Sequence, residues 1–279
     1  FENAKKVLEQ AKKDGITGEK FYVLEKKIPL TKIKKNSNPS NPSQKKINQL
    51  LDHYQNGRLE DAEDYATSII EKFPKHQFAW KILGTIYLSK RRFSEALRVN
   101  EKAVELSPKD AEAHNILGIN YKELGILEKA EASCLQAIRL NPNFVQAQSN
   151  LGNILREFGR LEEAKACYLK AIDINPNLAE PHNNLGIIYK ELKNFLEAET
   201  CYLRAIKINP NFAEPYSNLG DIHRGLGRLK EAETSCLRAI ELNPNLAEAY
   251  NNLGATYKEL RRFEEAETCC LKAIELMDY

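Results

Sequence analysis

Residues 143–177 read NFVQAQSNLGNILREFGRLEEAKACYLKAIDINPN. Nearly the same string returns 34 residues later, and again after that. Three residue types keep this step along most of the chain: Pro74, Pro108, Pro142, Pro176, Pro210 and Pro244; Gly84, Gly118, Gly152, Gly186, Gly220 and Gly254; Ala62, Ala96, Ala130, Ala164, Ala198, Ala232 and Ala266. A fixed period of this length is the sequence signature of a solenoid of stacked repeats.

Each repeat reads as two amphipathic helices, because its apolar residues recur three and four positions apart. The pair Asn177 and Glu180 has the spacing of a capping box, which predicts Asn177 as the N-cap of a first helix; Asn143, Asn211 and Asn245 repeat this pattern. The turn between the two helices carries Gly57, Gly125, Gly159 or Gly227, which predicts a positive φ there. Arg91, Lys193 and Arg261 replace that glycine in other repeats, at a modest expected cost.

The repeat resembles the tetratricopeptide repeat. Residues 77–110 keep the pattern of that family throughout, with Trp80, Leu83, Gly84, Tyr87, Ala96, Ala103 and Pro108. The resemblance implies an all-α fold, a right-handed superhelical solenoid of helix-turn-helix repeats. We expect a basic N-terminal helical segment and linker at residues 1–42, followed by seven repeats at 43–76, 77–110, 111–144, 145–178, 179–212, 213–246 and 247–279.

The distribution of charge argues against a nucleic-acid partner. The formal net charge is +2, but residues 1–35 carry ten lysines and five acidic residues, so the remainder is net acidic. A lysine-faced cap or linker explains the basic segment better than an anionic partner does. No apolar run approaches the roughly 20 residues that a membrane-spanning helix needs, so we expect no membrane insertion. Because the chain begins at Phe1 without a methionine, we expect it to be a piece of a longer protein.

The six cysteines all fall in second helices, at Cys134, Cys167, Cys201, Cys236, Cys269 and Cys270. Small thiols at such positions are typical of helix packing. Equivalent positions in neighbouring repeats should lie beyond the reach of a disulfide, and unpaired thiols suit a reducing compartment. The sequence therefore predicts a cytoplasmic location.

A row of asparagines is the strongest candidate for a binding site. When the first residue of each repeat is counted as position one, position six is Asn150, Asn184, Asn218 and Asn252 in four consecutive repeats. The first helices of a curved solenoid line its concave side, so these amides should face a groove, where each can bond both groups of a peptide backbone unit. The row resembles the asparagine-lined groove of the tetratricopeptide domain of O-linked N-acetylglucosamine transferases, and residues 159–172 look very like a repeat of that domain. A solvated residue that is common in this family is the plainer interpretation.

Two charged rows should flank the asparagines. Position twelve carries the basic residues Lys122, Arg156, Lys190, Arg224 and Lys258, which we predict to contact a peptide together with the asparagines. Position two carries Glu112, Gln146, Glu180, Glu214 and Glu248. The helix dipole favours the same placement of charge, so both rows also have a purely structural explanation.

The predicted function is a protein–protein interaction scaffold that binds an extended peptide or partner segment in its concave groove. The alternative is the substrate-recruiting arm of a multidomain glycosyl- or sulfotransferase whose catalytic domain lies outside this chain. A third hypothesis is end-to-end self-association through the last repeat, where Ile274, Leu276 and Met277 should face outward. The pattern of a chaperone adaptor that clamps a carboxylate is not met, because position six carries no arginine.

The sequence offers no catalytic constellation. The five histidines His53, His76, His114, His182 and His223 are scattered without the paired spacing of metal ligands on one helix. His114 and His182 replace an aromatic residue at position four, which indicates half-buried packing. We therefore predict no enzymatic activity, no metal and no cofactor.

Overall fold

The computed structural model describes residues 41–277, which form two compact bodies divided after Leu106. The predicted segment at residues 1–42 therefore lies almost wholly outside the described residues, and the division of the chain into that segment and seven repeats stays a prediction. Residues 41–277 contain fourteen α-helices and no strand. The first body holds α1 (Gln44–Gln55), α2 (Leu59–Lys72), α3 (Gln77–Ser89) and α4 (Phe93–Leu106).

The second body holds ten helices, which follow one another as pairs of 13 and 14 or 15 residues. They are α5 (Ala111–Glu123), α6 (Leu127–Leu140), α7 (Val145–Glu157), α8 (Leu161–Ile174), α9 (Ala179–Glu191), α10 (Phe195–Ile208), α11 (Ala213–Gly225), α12 (Leu229–Leu242), α13 (Ala247–Glu259) and α14 (Phe263–Met277). The predicted all-α class of helix-turn-helix repeats is confirmed.

The core continues from repeat to repeat instead of closing within one. Tyr202 in α10 is fully buried and packs against Leu219 and Ile222 of the next first helix, α11. Cys236 in α12 packs in the same way against Leu253 and Tyr257 of α13. These second helices of the second body thus use the following first helix to remove their apolar side from water, as expected of a repeat that cannot bury its own face.

From α3 onward, the glycine at position eight of each first helix makes room for the side chain at position 24 of the second helix. A Cβ added to Gly186 would lie 2.5 Å from the ring of Tyr202, and one added to Gly118 would lie 2.6 Å from the sulfur of Cys134. At Gly118 the added Cβ would also approach the carbonyl oxygen of Ala130 to 3.3 Å. A side chain at this position would therefore push the two helices of a repeat apart.

The turn between the paired helices adopts a positive φ, as the sequence predicts. Gly57, Gly125, Gly159 and Gly227 have φ values between 71° and 75°. Arg91, Lys193 and Arg261 hold the same conformation with φ values of 57°, 62° and 59°. Because a Cβ crowds the backbone in this left-handed region, these three residues store strain.

The predicted capping boxes are wrong. Helix α9 begins at Ala179 after the N-cap Leu178, which makes no side-chain cap, and the N-caps of α7, α11 and α13 likewise make none. The asparagine before the proline instead stabilises the turn that leads into the helix. The side-chain oxygen of Asn175 accepts a hydrogen bond from the backbone N–H of Asn177 at 3.1 Å. Asn141, Asn209 and Asn243 make the same bond to Asn143, Asn211 and Asn245, so these asparagines close the turn and do not start the helix.

We expect Lys193→Gly to raise the free energy of unfolding by up to about 1 kcal/mol, because glycine adopts the left-handed conformation without the crowding of a Cβ. Chemical denaturation of the two proteins measures the change. Gly159→Ala is the matched control and should lower stability by a similar amount. If the Lys193→Gly protein were less stable than the wild type, the claim that Lys193 is strained by its positive φ would be wrong.

Two buried tyrosines at position 24 should respond differently to loss of the hydroxyl. Tyr168 donates to the side-chain oxygen of Asn153 at 2.6 Å, whereas the buried hydroxyl of Tyr202 has no partner among the described residues, because Ile187 stands in the place of Asn153. Tyr168→Phe should lower the free energy of unfolding by about 1 kcal/mol. Tyr202→Phe should leave it unchanged or raise it. Equal losses in denaturant titrations would show that the orphaned hydroxyl has no energetic consequence.

Candidate functional site

The predicted asparagines lie at equivalent places on four first helices, with Asn150 in α7, Asn184 in α9, Asn218 in α11 and Asn252 in α13. We call these four residues the amide row. All four side chains are half-buried. The row therefore lies neither wholly in the core nor free in solvent.

Each amide nitrogen of the row donates to the preceding repeat. Nδ2 of Asn150 lies 2.9 Å from Oδ1 of Asn115, and Nδ2 of Asn218 lies 3.1 Å from Oδ1 of Asn183. The acceptor stands at position five of the repeat before, 35 residues earlier in the chain. Asn115 and Asn183 are almost fully buried, so these bonds also satisfy polar groups that water does not reach.

The other two members keep this function with different acceptors. Asn252 donates to both the hydroxyl and the backbone carbonyl of Ser217, at 3.1 and 3.2 Å. A carbonyl oxygen can only accept, so this contact fixes which end of the Asn252 amide faces the neighbouring repeat. Nδ2 of Asn184 instead reaches Oδ1 of Asn153 at 3.4 Å.

The amide oxygens of the row make fewer hydrogen bonds than the amide nitrogens. Oδ1 of Asn150, Asn218 and Asn252 accepts no hydrogen bond from residues 41–277, and Oδ1 of Asn184 accepts only a long one, 3.5 Å, from Asn183. The nitrogens thus tie successive repeats together, while three oxygens keep their full capacity to accept a bond.

The basic residues at position twelve form a charge row, Lys122, Arg156, Lys190, Arg224 and Lys258, which runs through the same first helices. Lys122 pairs with Glu157 at 3.6 Å, Arg156 with Glu191 at 3.7 Å and Arg224 with Glu259 at 2.9 Å. Each acid stands at position thirteen of the following repeat. Most of the charge row is therefore neutralised by ion pairs between repeats.

One substitution in the acidic partners is compensated nearby. Position thirteen of the sixth repeat is Gly225, and Lys190 pairs there with Asp221 at 3.1 Å. Asp221 also accepts from Arg224 at 2.7 Å. Burial of the Asp221 carboxyl favours its neutral form, but the charges and hydrogen bonds of Lys190 and Arg224 outweigh burial and hold the pKa of this carboxyl below its usual value.

The last member of the charge row differs from the others. Lys258 is exposed and forms no ion pair with any residue of the described part of the chain. Its position-thirteen partner would belong to a repeat beyond α14. Lys258 is thus the one free cation of the row among residues 41–277.

A second set of ion pairs joins each of three second helices to the arginine that precedes the second helix of the next repeat, and the sequence did not reveal it. Glu131 accepts from Arg160 at 2.8 Å, Glu199 from Arg228 at 2.7 Å and Glu233 from Arg262 at 2.6 Å. The acid stands at position 21 and the arginine at position 16 of the next repeat. Where position 21 is Lys165, the next position 16 is Asn194, so the two positions change together. That joint change is the signal by which the contact could have been found.

Two histidines contact a backbone carbonyl in the turn before their helix. Nε2 of His114 lies 2.9 Å from the carbonyl oxygen of Pro108, and Nε2 of His182 lies 3.2 Å from that of Pro176. No group of histidine, cysteine or acidic side chains within residues 41–277 has an arrangement that could hold a metal ion. Over the same residues, every helix is too short or too polar to cross a bilayer.

Family models cover the repeats without a gap from residue 47 to residue 278. Models described as tetratricopeptide repeat match residues 47–111, 111–144, 133–166, 179–212 and 211–278, and one described as TPR repeat matches residues 152–193. A search of curated proteins found no match.

Several solved structures have a similar fold at low sequence identity. The APC/C hetero-tetramer Cut9–Hcn1 aligns with a TM-score of 0.73 and 18% identity over 81% of this chain, which spans only 45% of the matched chain. A tetratricopeptide repeat protein from Parabacteroides merdae gives 0.68 and 21% over 83% of this chain and 92% of its own. PilF of Pseudomonas aeruginosa gives 0.63 and 20% over 72% and 91%. At these identities the likeness concerns the fold alone.

We expect Asp221→Asn to lower the free energy of unfolding near neutral pH by about 2 kcal/mol, because Lys190 and Arg224 lose their shared counter-charge. The folded-state pKa of Asp221 is depressed, so its contribution is present above the unfolded value of about 3.9 and is lost as the pH falls through the lower folded value. Urea titrations of both proteins between neutral and acid pH measure the difference.

Glu157→Gln is the matched control, since its pair with Lys122 is longer and more exposed. That change should alter stability by less than about 1 kcal/mol. A difference between wild type and Asp221→Asn that stays constant down to the lowest pH would contradict the assignment.

Proposed function

The chain belongs to the tetratricopeptide repeat family, a class of protein–protein interaction scaffolds, and on that premise we propose that its amide row binds the main chain of an extended peptide segment of a partner protein. The observation that carries this proposal is that the two ends of each amide have different hydrogen bonds. The nitrogen donates to the preceding repeat, whereas the oxygen of Asn150, Asn218 and Asn252 accepts no hydrogen bond from residues 41–277.

An extended peptide supplies what these oxygens lack. Every residue except proline presents one backbone N–H, and a peptide outside regular secondary structure has no internal acceptor for it. The row of carbonyl oxygens accepts such N–H groups one repeat at a time. Because the donors lie in the main chain, this mode of binding reads the extended conformation of the peptide more than its side chains.

The bonds between repeats also prepare the row for binding. Asn252 is held by two hydrogen bonds to Ser217, so its side chain is already ordered before a ligand arrives. Ordering a side chain on association costs free energy, and a side chain that is fixed beforehand avoids that cost. The half-buried setting further strengthens a hydrogen bond to the amide oxygen, because the local dielectric is lower than that of water.

We propose that the charge row lines the same surface but contributes unequally. Lys122, Arg156, Lys190 and Arg224 meet a peptide as ion pairs with acids of the neighbouring repeats, and so they present little net charge. Lys258 has no ion pair among residues 41–277 and is the member suited to a carboxylate of the peptide. The scaffold therefore accepts neutral segments along most of the row.

The chain on this proposal acts by binding alone, without catalysis or a cofactor, and the predicted cytoplasmic location is retained. The recruiting-arm alternative uses the same amide row and stays a prediction, since the catalytic domain that it requires lies outside this chain. End-to-end self-association also stays a prediction and concerns a different surface.

A displayed library of random peptides selected on the full chain provides the probe. We expect the double substitution Asn218→Ala and Asn252→Ala to weaken binding of the selected peptides by at least about tenfold. Each substitution removes one amide oxygen that would accept a hydrogen bond from the peptide backbone. Selected peptides whose backbone nitrogens are methylated should lose affinity for the wild type in the same way. Fluorescence anisotropy measures both.

The matched control separates binding from stability. Ser217→Ala removes the hydroxyl that holds Asn252 but leaves the amide oxygen in place. Ser217→Ala should lower the free energy of unfolding, as the double substitution does. Unlike the double substitution, it should keep most of the affinity for the selected peptides. Peptides that bind the double variant as tightly as the wild type, or a library that yields no binder, would reject the amide row as the site.

A further inference from the structure

Asn153 is a polar residue of a first helix that belongs to neither the amide row nor the charge row. It follows Asn150 by three residues in α7, so both side chains lie on the same face of that helix. Like Asn150, it is half-buried. The third, fifth and sixth repeats carry Ile119, Ile187 and Asp221 at this position nine, so the second amide is particular to the fourth repeat.

The two amides of the fourth repeat have opposite ends engaged. Nδ2 of Asn150 donates to Asn115, which leaves its oxygen to accept. Oδ1 of Asn153 instead accepts twice, from the hydroxyl of Tyr168 at 2.6 Å and from Nδ2 of Asn184 at 3.4 Å. Nδ2 of Asn153 donates to no group among residues 41–277. A flipped Asn153 amide would place an N–H group against Nδ2 of Asn184, so these bonds fix its orientation.

The fourth repeat therefore offers an acceptor and a donor within one helical turn, where Cβ atoms three residues apart lie roughly 5–6 Å from each other. One residue of an extended peptide presents the complementary pair, because its N–H and C=O point to the same side of the chain. The two bonds to Oδ1 of Asn153 also polarise this amide, which strengthens Nδ2 as a donor. Beside their row asparagines, the next three repeats carry Ile187, the ionised Asp221 and Ala255, which offer no donor.

The third repeat presents apolar side chains at the same two positions. Ile116 and Ile119 of α5 stand where Asn150 and Asn153 stand in α7, and both isoleucines are half-buried. Helices α5 and α7 contact each other, so the apolar pair and the amide pair are neighbours. An apolar side chain that covers Ile116 and Ile119 removes further apolar surface from water, which is favourable.

We propose that the fourth repeat sets the register of the peptide on the amide row. Asn150 accepts a hydrogen bond from the N–H of one peptide residue, and Asn153 donates to the C=O of the same residue. We call this peptide residue the anchored residue; it is not proline, which has no N–H. A large apolar side chain close to it in the peptide covers Ile116 and Ile119. This inference rests on the proposed function and adds a class of ligand, an extended segment with an aliphatic or aromatic residue near the anchored one.

The test uses peptides selected on the full chain from the random display library, with affinities measured by fluorescence anisotropy. Asn153→Asp keeps an oxygen for Tyr168 and Asn184 but removes the donor, so it should weaken binding by at least about tenfold. Ala255→Asp is the matched control for the added charge, because it stands at position nine of the seventh repeat, where the peptide presents N–H groups. This control should weaken binding by less than about threefold.

An ester scan of one selected peptide locates the anchored residue. Each replacement of a backbone amide by an ester removes one N–H and weakens the carbonyl oxygen of the preceding residue. On the wild type, one replacement should remove the bond to Asn150, and the next one toward the C terminus should weaken the bond to Asn153. On Asn153→Asp the first replacement should still reduce affinity, whereas the second should cause no additional loss.

Selection on an Ile119→Ser variant examines the apolar pair. Its peptides should no longer share a large apolar residue at a fixed distance from the anchored residue. Peptides that bind Asn153→Asp as tightly as the wild type, but bind Asn218→Ala with Asn252→Ala weakly, would overturn this inference and leave the proposed function standing. Equal losses along the whole ester scan would overturn it as well. A library without binders would reject both.

Discussion

The interactions between neighbouring repeats determine the rest of the second body. No repeat buries its own apolar side, so the second helices α6, α8, α10 and α12 each depend on the first helix that follows, as Tyr202 depends on Leu219. Most polar contacts across these joints have one of two spacings. They lie 35 residues apart between first helices, or 29 residues apart between a second helix and the arginine that precedes the next second helix. The contacts of Asn184 with Asn153 and of Lys190 with Asp221 span 31 residues. The apolar contacts provide the favourable free energy, and the polar contacts set the register, because a slip would leave buried amides and charges unpaired.

The amide row has a structural role, and the binding role that we propose for it uses the same side chains. Its nitrogen bonds hold the repeats together, and the same bonds order the side chain whose oxygen remains available. Most members of the charge row already form ion pairs with acids of the next repeat, so fewer of their charges remain for a ligand. Where Gly225 stands in the place of the acid, Lys190 pairs with Asp221 of the same repeat, so this joint also has an ion pair.

The fold follows from the sequence because its information is local and repeated. The 34-residue period, the helical spacing and the glycine turns each concern residues close together in the chain, and positive φ at Lys193 could be inferred from its alignment with glycines. The capping box failed because two asparagines lie near each helix start, and spacing alone does not tell which one closes the turn. The partners of the two rows escaped prediction for another reason. A bond between Asn150 and Asn115 depends on how two helices are placed against each other, which a list of single positions does not contain.

The linear order of the repeats also has a kinetic consequence. In a linear array each repeat is stabilised by its neighbours, and α14 has a neighbouring helix on one side only within the described residues. Opening should therefore begin at α14 and move inward, so backbone amide exchange in this body becomes slower from α14 toward α9. A contact that stabilises α14 would slow this fraying, and its effect would extend along the array to Asn252 and Asn218, because each is bonded to the repeat before it.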